Sequence, residues 1–136
     1  MDAPSSCALT AARFELFVRD VAQSVRFYER VLDFVAPSDA DLTGYVPVRN
    51  GAVTIGLQAI GALGTDHHLR RGRADDPRGL GVEIVLQAAD VDRAYRHAAA
   101  TAPACGGVTE PIGERPWGRR DFRVIDPDGY YLRLTS

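Results

Sequence analysis

Two carboxylates and two guanidiniums lie in stretches of the sequence that have the apolar pattern of strands. Arg13 and Glu15 lie in "RFELFVR", Glu83 lies in "GVEIVLQ", and Arg133 lies in the final apolar stretch. A carboxylate can bind a metal ion or accept a proton, whereas a guanidinium is always protonated and offers no lone pair to a metal. These residue types leave open either a catalytic carboxylate or a charged binding surface.

The first stretch has the alternation of a half-buried strand. Its apolar residues at positions 14, 16 and 18 share one face, so Arg13, Glu15 and Phe17 share the other. Asp20 is predicted to cap a helix whose apolar residues recur at helical spacing. Short strands follow around residues 45–49 and 52–59, and the Asn-Gly pair between them predicts a hairpin.

The second half of the chain repeats this order. "GVEIVLQ" predicts a strand, and Asp90 is predicted to cap a helix over "DVDRAYRHAAATA". Strands are predicted near residues 108–111, 119–125 and 130–134. Arg13 precedes Asp20 by seven residues and Glu83 precedes Asp90 by seven, so Arg13 and Glu83 occupy equivalent positions. Each half is therefore predicted to be one βαβββ module.

These patterns divide the chain into four parts. We expect a flexible N-terminal tail over residues 1–12, a first module over 13–59 and a second module over 81–136. The stretch between the modules, residues 60–80, is rich in glycine and charge and lacks periodicity, which predicts a linker or mobile flap. Its adjacent histidines, at positions 67 and 68, are predicted to be solvated, and "DPDG" before the last strand predicts a turn.

Composition excludes several classes of protein. The 136 residues fit one domain or two fused half-domains, and the net charge of −2 argues against a nucleic-acid partner. We expect no membrane span and no secretory signal. Cys7 and Cys105 are predicted to be reduced thiols, which favours a cytoplasmic location. All 16 residues counted as Lys or Arg are Arg, which together with the abundance of Ala indicates a GC-rich coding genome, and we expect a bacterial protein.

Three segments together resemble the vicinal oxygen chelate superfamily of glyoxalases, bleomycin resistance proteins and extradiol dioxygenases. They are "FELFVRDVAQSVRFYERVLDF", "VEIVLQAADVDRAYRHA" and, most specifically, "PWGRRDFRVIDPDGYYLRL". The resemblance implies an α+β fold in which two tandem βαβββ modules form curled mixed sheets around a cavity. It also implies a homodimer, in some members with modules exchanged between subunits.

Enzymes of this superfamily hold one divalent metal ion in the cavity, with ligands from the first and last strand of each module. Those positions fall here on Arg13, Glu83, Arg133 and either Ile55 or Leu57, so Glu83 is the only position able to bind a metal. We therefore expect no cofactor. In place of the ion we expect an Arg13–Glu83–Arg133 cluster on the cavity floor.

The resemblance places several further residues at the cavity. Trp117, in a Pro-Trp-Gly corner, is predicted either to stack on a planar ligand or to anchor the end of a strand. Phe17 and Tyr131 are expected to line the cavity with the charged residues. Glu15 is a weak candidate base. Flanking guanidiniums would keep Glu83 charged, which argues against Glu83 as a base.

The sequence leaves two functions open. The first is a metal-free binding protein that sequesters an antibiotic or other natural product in a dimer cavity, as bleomycin resistance members do. The alternative is an enzyme, a lyase, isomerase or dioxygenase, that acts on a small oxygenated substrate, with one divalent metal ion if it is metal-dependent. The charge of the ligand stays open, because Glu15 and Glu83 offset the arginines.

Overall fold

The structure is a computed structural model that describes residues 6–73 and 75–136. Residues 1–5 of the predicted tail and Ala74 of the predicted flap lie outside it. The first module consists of β1 (Phe14–Val18), α1 (Val21–Leu32), β2 (Val46–Asn50) and β3 (Val53–Ala59). The second consists of β4 (Glu83–Gln87), α2 (Val91–Thr101), β5 (Val108–Glu114), β6 (Arg120–Ile125) and β7 (Tyr131–Thr135).

The two sheets have the same topology. Their strand orders are β1-β3-β2 and β4-β7-β6-β5. In each sheet the first strand of the module pairs in parallel with the last, and the remaining pairs are antiparallel. The predicted α+β class, with two mixed sheets from an internal repeat, is confirmed.

The first module differs from the prediction in one detail. Its fourth strand is reduced to a single bridge, in which Val35 exchanges backbone hydrogen bonds of 2.8 and 3.0 Å with Arg49. Pro37 follows two residues later, and proline has no N–H with which to continue a ladder. The first sheet therefore has three strands where the second has four.

Both helices begin at the predicted aspartates. The Asp20 carboxylate accepts a hydrogen bond from Gln23 N at 3.1 Å, and the Asp90 carboxylate accepts one from Arg93 N at 3.0 Å. These bonds satisfy amides that the first helical turn leaves unpaired. Asp33 closes α1 in the left-handed conformation, with φ of 55°.

One apolar core joins the modules, because the helices pack between the two sheets and against each other. Leu16 and Val18 of β1 are buried on the helix side, as are Ile84 and Leu86 of β4. In the last two strands the buried residues are Phe122, Val124, Leu132 and Leu134, as their alternation predicts. Each sheet thus has a helix-facing side and an open side.

The "DPDG" turn connects the modules. Tyr28 donates its hydroxyl to Asp126 Oδ2 at 2.8 Å, and Arg19 N donates to Asp128 Oδ1 at 2.8 Å. Both aspartates are buried, and burial raises the pKa of Asp126 from 3.8 to about 6. Gly129 supplies the positive φ of 93° that the predicted turn requires. The segment is therefore both a turn and a polar contact between the modules.

The stretch between the modules lies close to this turn. Its described residues form two short 3-10 turns, Ile60–Ala62 and His68–Arg70, and Arg78 N donates to Asp128 O at 2.7 Å. Within residues 6–73 and 75–136, neither helix combines the length and apolar character that crossing a membrane requires.

Candidate functional site

The open side of each sheet carries the predicted site residues. We call the open side of β1–β3 the first-module face and the open side of β4–β7, with the turn between β5 and β6, the second-module face. Residues on these faces alternate along the strands with the buried residues of the core. The first-module face holds Arg13, Glu15, Phe17, Tyr45 and Gly56; the second holds Glu83, Val85, Arg115, Trp117, Asp121, Arg123, Tyr131 and Arg133.

The first-module face has a small polar group centred on Glu15. Arg13 Nε lies 2.8 Å from Glu15 Oε1, and Tyr45 donates its hydroxyl to the same oxygen at 2.9 Å. Phe17 is half-buried beside this group. Glu15, the weak candidate base, is therefore already bound by one cation and one hydroxyl.

Gly56 corrects the sequence prediction of the fourth metal-ligand position. Ile55 and Leu57 are both fully buried on the helix side. Gly56 stands between them, opposite Glu15 in the β1–β3 ladder, just as Arg133 stands opposite Val85 in the β4–β7 ladder. A Cβ at Gly56 would overlap Glu15 and the Tyr45 ring. The equivalent of Arg133 in the first module is therefore a glycine whose space its neighbours fill.

The second-module face carries a larger ionic network. Asp121, fully buried, accepts hydrogen bonds on Oδ1 from Arg115 Nε and from Arg123 Nη1, both at 2.6 Å. Arg133 Nε lies 2.8 Å from Glu83 Oε1, and Arg133 Nη1 lies 3.8 Å from Asp121 Oδ2. Arg133 thus stands between two carboxylates.

Two aromatic residues border this network. Trp117 is 54% exposed, and the Arg133 guanidinium carbon lies 5.6 Å from the centroid of its ring. Tyr131 donates its hydroxyl to Glu110 Oε2 at 3.2 Å; burial, together with the Glu110 charge, raises the pKa of Tyr131. The ring of Trp117 is accessible, and the choice between ligand stacking and strand anchoring stays a prediction.

The single chain contains one of the two contacts expected in the Arg13–Glu83–Arg133 cluster. Glu83 and Arg133 are paired, but the ion pair of Arg13 is with Glu15. Arg13 does not flank Glu83 in the described single chain, because β1, which follows Arg13, and β4, which begins at Glu83, belong to different sheets. Arg13 instead pairs with the acidic side chain two residues along its own strand face. The cluster of all three residues stays a prediction.

Sequence reasoning missed several residues of the faces. Asp121, Arg115 and Arg123 organise the second-module face, and Tyr45 with Gly56 shapes the first. A signal for Asp121 was present: in "DFRVI" it alternates with buried Phe122, so it must share a face with Arg123. Its complete burial could not be foreseen from that alternation.

A separate cleft of about 420 Å³ lies between the modules at the helix ends. Phe34, Leu86 and Leu134 contribute apolar lining, and Asp33 and His97 stand among its polar residues. His97 Nε2 lies 2.7 Å from the Arg30 carbonyl oxygen, so this histidine contributes to the contact between modules. The predicted ligand-binding residues do not line this cleft.

Comparison with known proteins identifies the superfamily to which this fold belongs. The sequence profile of the Glyoxalase/Bleomycin resistance protein/Dioxygenase superfamily matches residues 10–134. The chain therefore belongs to this superfamily, which confirms the resemblance. A search of curated proteins found no match.

Solved structures agree with this assignment at low sequence identity. A bleomycin-binding protein from bleomycin-producing Streptomyces verticillus, solved with copper(II)-bleomycin, is 24% identical with a TM-score of 0.64, over 96% of this chain and 98% of that one. A glyoxalase-related enzyme from Fulvimarina pelagi is 17% identical with a TM-score of 0.70, over 94% and 88%. A protein of unknown function from Agrobacterium tumefaciens is 22% identical with a TM-score of 0.71, over 96% of both chains. These likenesses concern the fold.

The residues at the superfamily's metal positions do not fit a divalent ion. Arg13 and Arg133 have no lone pair to donate, and Gly56 has no side chain. Glu83, the remaining position, has Arg133 Nε 2.8 Å from its carboxylate. A cation placed there would stand against the Arg133 charge and would have to displace it from Glu83.

Proposed function

We propose that this chain is a metal-free small-molecule-binding protein that sequesters an antibiotic or other natural product. The supporting observation is the second-module face, where Glu83, Arg133 and Asp121 form an ionic floor beside an exposed Trp117. Arginines neutralise the carboxylates there, and the exposed indole offers a flat apolar surface on which a planar ligand can stack. The superfamily fold includes a bleomycin-binding protein among its structural neighbours, which is consistent with such a role.

The ligand cavity is proposed to form between two subunits. In the single chain the faces are open: Trp117, Val85 and Tyr45 are 54%, 44% and 41% exposed. Ligand pockets bury most of their ligand, which an open sheet face alone does not do. A homodimer that sets the second-module face of one chain against the first-module face of its partner would enclose the ligand. It would also bring Arg13 of one subunit towards Glu83 of the other.

Binding is favoured over catalysis by the state of the two carboxylates. Glu15 is paired with Arg13 and Tyr45, and Glu83 is paired with Arg133. A general base must have an oxygen free to reach the proton that it abstracts, and the carboxylate oxygens of these pairs are already in contact with guanidinium or hydroxyl groups. Glu15 and Glu83 are therefore assigned to holding the arginines in position.

The proposal is tested by binding measurements on the metal-free protein. Titration calorimetry against a panel of planar natural products, including metal-free bleomycin, is expected to find a ligand that binds one site per cavity without added metal. Trp117→Ala should weaken that binding about tenfold or more. Leu69→Ala, which removes an exposed apolar side chain from the stretch between the modules, is the matched control and should leave affinity unchanged.

Two outcomes would contradict this function. One is ligand binding that appears only after a divalent metal is added. The other is chemical conversion of the bound compound, which would favour the enzyme alternative. Sedimentation analysis of the same samples tests the cavity: a monomer that binds the ligand at full affinity would contradict assembly of the site between subunits.

A further inference from the structure

Two arginines stand directly opposite each other on the second-module face. Arg123 of β6 and Arg133 of β7 are cross-strand partners in the antiparallel ladder. Like charges directly opposite on one face of a sheet repel each other and destabilise the pair. Asp121 offsets part of this repulsion, since its two oxygens lie 2.6 Å from Arg123 Nη1 and 3.8 Å from Arg133 Nη1. An anion bound between the two guanidiniums would offset it further.

The carboxylates of this face use only part of the donor capacity of the arginines. Asp121 uses one oxygen for both Arg115 and Arg123, its other oxygen lies 3.8 Å from Arg133 Nη1, and Glu83 lies at the Nε side of Arg133. Glu110 is opposite Arg123 in the β5–β6 ladder, but its carboxylate accepts the Tyr131 hydroxyl. The face therefore carries three guanidiniums and three carboxylates, and their charges cancel. Ligand binding here depends on the direction of the guanidinium N–H donors and not on a net positive charge.

Arg133 keeps hydrogen-bond donors available. A guanidinium has five N–H donors, and Arg133 contacts Glu83 through Nε while its Nη1 is 3.8 Å from Asp121. Among residues 6–73 and 75–136, neither Asp121 Oδ2 nor Arg133 Nε, both buried, has a hydrogen-bond partner of good geometry. Glu83 and Asp121 thus position the Arg133 side chain but leave the Nη groups of Arg133 able to donate to a ligand oxyanion.

Trp117 adds the second recognition element. Its ring lies 5.6 Å from the Arg133 guanidinium carbon and is more than half exposed. The corner that presents it is fixed, since Gly118 N donates to Arg115 O at 3.0 Å and Arg115 N donates to Arg119 O at 2.8 Å. A ligand with an aromatic ring next to an oxyanion would stack on the indole and reach Arg133 together.

We infer that the ligand of the second-module face is an aromatic carboxylate, bound by Arg133 and Arg123 through its oxygens and by Trp117 through its ring. This inference rests on the proposed function and names the chemical class of its ligand. It predicts that an ammonium group in the same position, which would meet two guanidiniums, binds more weakly than a carboxylate.

A matched set of three probes tests the inference: 4-nitrobenzoate, 4-nitrobenzamide and protonated 4-nitrobenzylamine. They share a nitroaromatic ring and differ in the charge of one substituent. Because Trp117 is the only tryptophan, quenching of its fluorescence reports binding at this face. The carboxylate is expected to bind about tenfold or more tightly than the amide, and the ammonium compound still more weakly.

Substitutions of Arg133 and Arg123 test whether these two arginines cause the preference for the carboxylate over the amide. Arg133→Lys keeps the charge but loses the planar fork, and should reduce the carboxylate's advantage over the amide several-fold. Arg123→Gln should reduce it as well, and it leaves Arg133 paired with Glu83. Arg26→Gln, on the exposed side of α1, is the control that should leave the ratio unchanged.

The inference is overturned if the amide or the ammonium compound binds as tightly as the carboxylate, although metal-free binding at Trp117 would then still support the proposed function. It is equally overturned if none of the three probes binds. Carboxylate binding that requires an added divalent metal would contradict the proposed function and this inference together.

Discussion

The two modules share their helix-facing side and differ on their open side. In both, an aspartate caps the helix and alternating apolar residues of the first strand are buried. On the open side, the first module has one carboxylate with an arginine and a tyrosine, and a glycine where the second has Arg133. The second has a buried carboxylate among three arginines. The two modules therefore share the kinds of residue that pack each helix on its sheet. They differ in the residues on the open side, which would contact a ligand.

Neutralising the central carboxylate should destabilise the second-module face far more than the first-module face. Asp121→Asn leaves Arg115, Arg123 and Arg133 without their buried counter-charge and should lower the free energy of unfolding by about 3 kcal/mol. Glu15→Gln removes a partly exposed ion pair and should cost less than about 1 kcal/mol. Urea denaturation of both variants measures the two costs. Equal costs would contradict the different burial of the two networks.

The contact between the modules gives a pH dependence. Burial raises the pKa of Asp126 from 3.8 to about 6, so between these values the folded state binds more protons than the unfolded state. This contribution to stability is fully present below 3.8 and is lost as the pH rises through about 6. Relative to wild type, Asp126→Asn should therefore gain stability, by up to about 3 kcal/mol, as the pH rises through this window.

Urea titrations of wild type and Asp126→Asn across that pH range measure the difference. Asp39→Asn, at an exposed carboxylate, serves as the control and should run parallel to wild type. If Asp126→Asn also runs parallel to wild type, the burial of Asp126 does not affect its protonation as described.

The glycine of the first-module face provides a steric test. The added methyl group in Gly56→Ala would overlap Glu15 and Tyr45, which must move, so the variant should lose about 1–2 kcal/mol. Gly61→Ala, where no atom of the residues that the structure describes lies within 4 Å of the added Cβ, is the matched control. Thermal unfolding of the two variants compares them. A Gly56→Ala protein as stable as the control would show that the first-module face has room for a larger side chain.

The smallest expected effects test the similarity of the modules. Asp20→Ala and Asp90→Ala each remove one hydrogen bond to the first turn of a helix. Each should cost about 1 kcal/mol, and the two costs should agree, because the local geometry is the same. Circular dichroism during urea unfolding gives both values. A several-fold difference would show that the helix starts are not equivalent.

The helix-facing half of the molecule could be predicted from the sequence because it follows local rules. Alternation identified Leu16 and Val18 as buried, and spacing identified Asp20 and Asp90 as caps. The reduced fourth strand of the first module was missed, although Pro37 signals where pairing must stop. The alternation of buried residues, the helix caps and the effect of Pro37 all depend only on residues that are close together in the sequence.

The open faces could be predicted only in part. Alternation placed Glu15, Glu83 and Arg133 on the correct side of their strands, and the Glu83–Arg133 pair formed as expected. The choice of Glu15 as the partner of Arg13, and the burial of Asp121, depend on how strands from distant parts of the chain pair and curl. Side-chain spacing along one strand does not contain that information.

Titration of divalent metal ions into metal-free protein tests whether the superfamily's metal positions of this chain still bind metal. Zinc, manganese, nickel and iron(II) ions are each titrated into wild type and into an Arg13→His, Arg133→Glu double variant, which restores ligand-type side chains at two superfamily positions. Wild type is expected to bind no stoichiometric metal, because Arg133 occupies the Glu83 carboxylate. One equivalent per chain in wild type, lost in Glu83→Gln, would contradict the account.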